Sequence, residues 1–179
     1  MTDPLDRAGL GDAAAAVRAE WRADEEEWTR AAVERWQHER TLLDVVRECM
    51  HRGDTLALRL PHATFTGRVC AVGDDIVALD VLGYSRVDVR VTAHTPLVAR
   101  VLERARAGGT RGEGVTTFRA RLFELEMDER DIELGAHGAG EIVRGRLQVG
   151  NDHLISHDRE GSETLIALAA VAWVRPVSE

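Results

Sequence analysis

Gly67-Arg68-Val69-Cys70-Ala71-Val72-Gly73-Asp74-Asp75 and Gly145-Arg146-Leu147-Gln148-Val149-Gly150-Asn151-Asp152 are two copies of one pattern. A one-residue gap after Gln148 brings Val72-Gly73-Asp74-Asp75 onto Val149-Gly150-Asn151-Asp152. Each copy reads as a strand with a glycine inside it, followed by a tight turn. Glycine within a strand marks a bend or a close backbone approach, and Gly, Asn and Asp supply turn geometry.

The surrounding sequence extends both copies in the same order. In the first, Leu56, Leu58 and Leu60 alternate, Pro61-His62-Ala63 turns, Phe65 to Val72 forms a bent strand, Ile76 to Leu82 a third, and Val87, Val89 and Val91 a fourth. In the second, strands are expected at Ile132 to Leu134, Glu141 to Val149, His153 to Ser156 and Thr164 to Ala167, with Leu168 to Val174 as a short turn and closing strand. Between the copies, Thr95-Pro96 opens an expected helix through Leu97, Val98, Val101 and Leu102. The segment Gly108-Gly109-Thr110-Arg111-Gly112-Glu113-Gly114 lacks the lysine of a phosphate loop and reads as a linker. A second linker helix is expected after a Thr116 or Thr117 cap, with Phe118, Leu122 and Leu125 on one face.

Ahead of the repeats, Asp12 to Met50 holds neither proline nor glycine, and apolar residues recur at helical spacing through Trp28, Ala32, Trp36, Leu43, Val46 and Met50. Val17 and Trp21 extend the stripe, and Arg52-Gly53 ends it. The ordinary role of such tryptophans is packing. A helix approaching forty residues outreaches a small β-structure, so a helical hairpin or a dimer contact is expected.

Gly67 and Gly145 at the bends, with Asp74-Asp75 and Asn151-Asp152 in the turns, resemble the Sm-like branch of small SH3-like barrels. In that family a helix precedes a five-stranded, highly curved sheet. The tail Leu165-Ile166-Ala167-Leu168-Ala169-Ala170-Val171-Ala172-Trp173-Val174 is similar to the family's fourth strand, one-turn 3₁₀ link and fifth strand. The resemblance covers 52–95 and 131–177 and extends to small-barrel proteins of high-GC bacteria. It implies an α+β chain: an N-terminal amphipathic helix or helical hairpin (1–51), a first barrel (52–95), a helical, Arg-rich linker (96–130) and a second barrel (131–179). Sm-like barrels associate by pairing fourth and fifth strands, which implies that Val87 to Val91 or Leu165 to Leu168 pairs with the other repeat. The basic-histidine pair of bacterial Sm-like RNA chaperones falls here at Ala169-Ala170, and the arginine-glycine pair of the other branch is also missing. The resemblance therefore speaks for fold more than for RNA binding.

Composition narrows the function. The net charge of −8 argues against a surface that coats nucleic acid. All 23 basic residues are arginine, a bias that a GC-rich bacterial genome explains. Residues 1–51 carry seven arginines against twelve acids, whereas residues 100–121 carry six arginines against two acids. The first dozen residues lack the basic start and apolar run of an export signal, and no segment reaches membrane-spanning length, so a cytoplasmic location without membrane association is expected. Cys49 and Cys70 read as buried thiols.

No nucleophile-elbow serine and no cysteine with an adjacent base appears, so no catalytic residue, metal or cofactor is assigned. His153 and His157, with Asp152, Asp158 and His137, have a spacing that zinc would accept but that chance readily produces. Two binding roles are left. One is single-stranded RNA binding through Arg100, Arg104, Arg106, Arg111, Phe118, Arg119 and Arg121, with Phe65, Tyr84 and Trp173 as the remaining aromatic candidates. The other is a protein-interaction or scaffold role, in which Trp21, Trp28 and Trp36 bind a protein partner or a second copy and barrel edges add strands.

Overall fold

The computed structural model describes residues 4–82, 84–105, 108, 114–138, 140 and 142–177, with side chains described for all of these but 4–13, 84 and 85. It divides into two compact units, residues 1–41 and 42–179.

The first unit is one helix, α1 (Pro4–Glu39). It stops before Arg40 and Thr41, so the long helical pattern is two helices and not one. The Arg40 guanidinium lies over the Trp36 ring, 4.2 Å from its centroid.

The second unit begins with α2 (Leu42–Arg52), whose Val46, Cys49 and Met50 are buried at helical spacing. The helix ends at Gly53, whose amide donates to the carbonyls of Cys49 and Met50. Strands β1 (Thr55–Arg59), β2 (Thr64–Val72), β3 (Ile76–Val81) and β4 (Tyr84–Arg90) follow as an antiparallel meander. Next comes β5 (Val98–Glu103), which returns to pair with β1. After α3 (Phe118–Met127), the order recurs in β6 (Ile132–Ala136), β7 (Ile142–Val149), β8 (His153–His157) and β9 (Glu163–Ala167). A one-turn 3₁₀ helix, Leu168–Ala170, then leads into β10 (Val171–Pro176).

Two features of the expected architecture are corrected. The repeats are not two closed barrels: among the described residues the strands form a single open antiparallel sheet of ten, ordered β5-β1-β2-β3-β4-β10-β6-β7-β8-β9. The halves fuse because β4 pairs with β10, Val89 facing Trp173 and Asp88 facing Val174. This is the expected involvement of Val87 to Val91 with the other repeat, whereas β9 pairs with β8 and lies at the sheet's edge. The joining segment is likewise not purely helical, since Val98 to Glu103 is the edge strand β5.

The repeat itself is written into the hydrogen bonding. Gly73 donates to the Ile76 carbonyl and Gly150 to the His153 carbonyl, both at 2.9 Å, at aligned positions. A Cβ at Gly67 would run into the Asp80 carbonyl oxygen on β3, and one at Gly145 into the His157 carbonyl oxygen on β8. The one-residue alignment gap also has a physical form. Pairing of β2 with β3 slips between Val69 and Ala71, while β7 and β8 pair in unbroken register. Cys70 is the extra residue of a β-bulge, which leaves one residue unpaired and bends the strand.

Among the described residues two hydrophobic clusters fill the unit. One gathers Val46, Cys49, Leu56, Leu58, Val77, Leu79, Val87 and Trp173, and the other Phe118, Leu122, Leu125, Ile132, Leu134, Leu154 and Val174. α2 lies on β2, and α3 lies on β7 and β4. At roughly 1.5–3 kcal/mol for each large side chain fully removed from water, each helix is fixed mainly by its buried face.

Candidate interaction surfaces

The turn between β2 and β3 does more than reverse the chain. Asp75 Oδ1 accepts the Phe118 amide at 2.7 Å, and the Asp74 amide donates to the Thr116 carbonyl at 2.6 Å. Thr117 caps the same helix, its hydroxyl accepting from the Ala120 amide at 3.2 Å. The first half therefore supplies one of the acceptors that a helix N-terminus needs.

That anchoring decides where the expected RNA-binding residues go. Phe118 is buried in the second cluster, with the Arg90 guanidinium 6.0 Å from its ring centroid. Arg121 is turned inward, its Nε donating to Asp88 Oδ2 at 2.8 Å and its Nη1 to Glu124 at 2.9 Å. Arg119 donates to the Gly150 carbonyl at 3.1 Å and lies over Phe123. Arg100 and Arg104 are exposed, on β5 and just after it. Arg106 and Arg111 lie outside the described residues. The basic stretch is thus divided between an edge strand and a helix whose arginines already have partners. Phe65 and Trp173 pack edge to face in the first cluster with centroids 5.0 Å apart, and the side chain of Tyr84 lies outside the described residues.

Among the described residues three carboxylates are buried, and arginines meet each of them. Asp88 holds Arg86 and Arg121 on its two oxygens. Glu133 holds Arg144 at 2.6 Å and also Arg175. Asp54 holds Arg52 at 2.9 Å and accepts the Ala105 amide at 3.0 Å, tying the end of α2 to the end of β5. Burial works against the Asp54 charge, but these donors outweigh it and hold its pKa below the usual carboxylate value. A cleft of about 440 Å³ beside β6 and β7 is lined by Asp131, Glu133, Arg144, Asp158 and Arg159, whose charges largely satisfy one another.

Comparison with protein families, curated proteins and solved structures gives no match to this chain. What the chain binds must therefore be read from its own surfaces.

The histidines considered for zinc are occupied separately: His153 Nδ1 is 2.9 Å from Asp152, and His157 Nδ1 is 3.6 Å from Glu163. No group of three or more His, Cys, Asp or Glu side chains suited to a metal occurs among the described residues. Both cysteines are free thiols, Cys49 buried and Cys70 half-buried, and burial raises the pKa of each. Among the described residues no helix is long and apolar enough to cross a membrane.

Several large apolar side chains stand exposed. On α1, every described side chain from residue 15 to residue 39 is exposed, with Trp21 at 73%, Trp28 at 77% and Trp36 at 55%. At the sheet's ends, β5 exposes Val98, Val101 and Leu102, and β9 exposes Leu165. Sequence reading found the tryptophans but took the β5 residues for helix. It also passed over Asp88, although an acid between Val87 and Val89, with arginines two residues away on either side, was a signal of a buried ion pair.

Proposed function

We propose that this chain is a non-catalytic interaction module, located in the cytoplasm, that binds protein through the tryptophan face of α1, with the open edges β5 and β9 as secondary docking sites. The exposure of Trp21 and Trp28 carries this reading. An indole buries roughly 150–250 Å² when covered, and tryptophan is among the residues that dominate interface energetics. Exposed strand edges offer unpaired backbone groups to an added strand, and apolar side chains on β5 make that edge adhesive.

Single-stranded RNA is the less supported partner. Of its expected contacts, Phe118 is buried and Arg121 is engaged by Asp88 and Glu124. The net charge of −8 also opposes phosphate.

The test is affinity capture at physiological salt by the full chain and by its W21A/W28A/W36A variant. Proteins retained by the first and released by the second, further copies of the chain among them, are the expected result. A retained set indifferent to the three substitutions overturns the reading, and Arg100- and Arg104-dependent retention of single-stranded RNA with a steep loss in salt would replace it.

A further inference from the structure

We infer that α1 pairs with α1 of a second copy, antiparallel, across its tryptophan face, so that the chain is a dimer. The inference rests on the interaction reading above and names the partner. At 1.5 Å per residue the 36-residue helix is about 54 Å long. Intervals of four, seven and four place Val17, Trp21, Trp28 and Ala32 in one narrow stripe, and Trp36, four residues on, widens it to about 100°. Helices in water draw most of their stability from packing such a stripe.

A second copy fits that stripe in size. With the two-fold axis between Trp21 and Trp28, each indole of the central pair faces the other copy's opposite member. Ala32 then faces the second copy's Val17, and Trp36 falls beside its Ala14, so large side chains meet small ones toward both ends. Three indoles from each copy, at about 200 Å² apiece, bury roughly 1,200 Å² in total, the lower bound of a stable interface.

Charge selects the direction. Residues 14–22 carry Arg18 and Arg22 against Glu20, whereas residues 23–39 carry six acids against two arginines. A parallel pair stacks Asp24-Glu25-Glu26-Glu27 on itself. An antiparallel pair sets the more basic half against the acidic one. A like-charge contact persists at the axis, where Asp24 and Glu25 each come level with their own counterpart in the other copy. An anionic lipid surface is a poorer occupant, because α1 carries nine acids against five arginines.

Sedimentation of the full chain over a range of concentrations tests the pairing. The expected result is a reversible dimer whose dissociation constant rises at least about thirtyfold in Trp28→Ala, as for an interface hot spot. Glu25→Gln, which relieves the contact at the axis, should tighten the dimer several-fold, a gain that misfolding does not mimic. On mild oxidation Asp24→Cys should form a covalent dimer and Ala14→Cys should not. Covalent dimers from both would establish a parallel pair and overturn the assignment. A dimer indifferent to Trp28→Ala overturns it too, since another surface then holds the copies together. A chain that stays monomeric yet captures a different protein through Trp28 overturns self-pairing and leaves the interaction reading standing. Monomers with no tryptophan-dependent capture overturn both.

Discussion

Arg121 on α3 reaches Asp88 on β4, Nε to Oδ2 at 2.8 Å, and Arg86 takes the other carboxylate oxygen at 2.7 Å. Asp88 is fully buried and stands in the strand that joins the halves, opposite Val174 of β10. Removing one partner of a buried ion pair leaves the other without compensation. Asp88→Ala should therefore destabilise the sheet by about 3–5 kcal/mol. Arg121→Ala leaves Asp88 with Arg86 and should cost less, about 1–3 kcal/mol. Urea unfolding of both variants checks the order, and equal losses would show that Arg86 contributes nothing.

The matched glycines allow a paired comparison. In Gly67→Ala the new methyl meets the Asp80 carbonyl, and in Gly145→Ala, at φ 154°, it meets the His157 carbonyl. Each substitution forces backbone apart and should cost about 1–3 kcal/mol, as overpacking does. Gly161→Ala has a positive φ of 87° but nothing within 4 Å, so only backbone strain of about 1 kcal/mol is expected. Thermal melts should rank Gly67 and Gly145 together and below Gly161. If all three variants melt alike, the close approach carries no weight.

The strand rhythm of both repeats, the α3 cap and the end of α2 at Gly53 were legible because each rests on local pattern. The fused sheet was not, since its joining contact pairs Val89 with Trp173, 84 residues apart, and the family resemblance led to closed barrels. Leu97, Val98, Val101 and Leu102 resembled a helical face, but pairing Leu58 with Ala99 and Leu56 with Val101 draws the segment into the sheet. Long-range pairing outweighs local propensity there. Arg119 and Arg121 looked like part of a basic patch because their partners, the Gly150 carbonyl and Asp88, lie far off in sequence. The tryptophans were legible as a stripe, and all three are exposed.

The turn acids give a third prediction. Asp75 accepts the Phe118 amide across 43 residues, so Asp75→Ala strips α3 of an acceptor supplied from the other half. The loss should be about 1 kcal/mol, as for an N-cap, while Asn retains an acceptor oxygen and most of the stability. Asn151 and Asp152 occupy the aligned turn and are exposed. Asn151→Ala should change stability by less than about 0.5 kcal/mol, the usual range for a surface position. Chemical denaturation of the three variants tests this, and an Asn151→Ala loss matching that of Asp75→Ala would contradict the asymmetry between the turns.

Acid should weaken the second unit in two windows that separate by residue. His137 is half-buried with its Nδ1 unpartnered among the described residues, and burial first, then the charge of Arg90, lowers its pKa below the usual 6.5. The unfolded chain therefore takes up this proton more readily than the folded one. The contribution of neutral His137 is complete above about pH 6.5 and shrinks as pH falls from there toward the lowered folded value. Asp54 works in the acid range. Its folded pKa lies below the usual 3.8, because Arg52 and the Ala105 amide outweigh burial, so its contribution is complete above that value and is lost as pH falls through the folded pKa. Urea midpoints measured from pH 8 to pH 3 should show His137→Gln flattening the decline just below about pH 6.5, with the acid limb unchanged. Asp54→Asn should lower stability at neutral pH and flatten the profile only below about pH 4. A His137→Gln profile with the wild-type slope between about pH 6.5 and pH 5 would show that His137 does not carry the decline in that window.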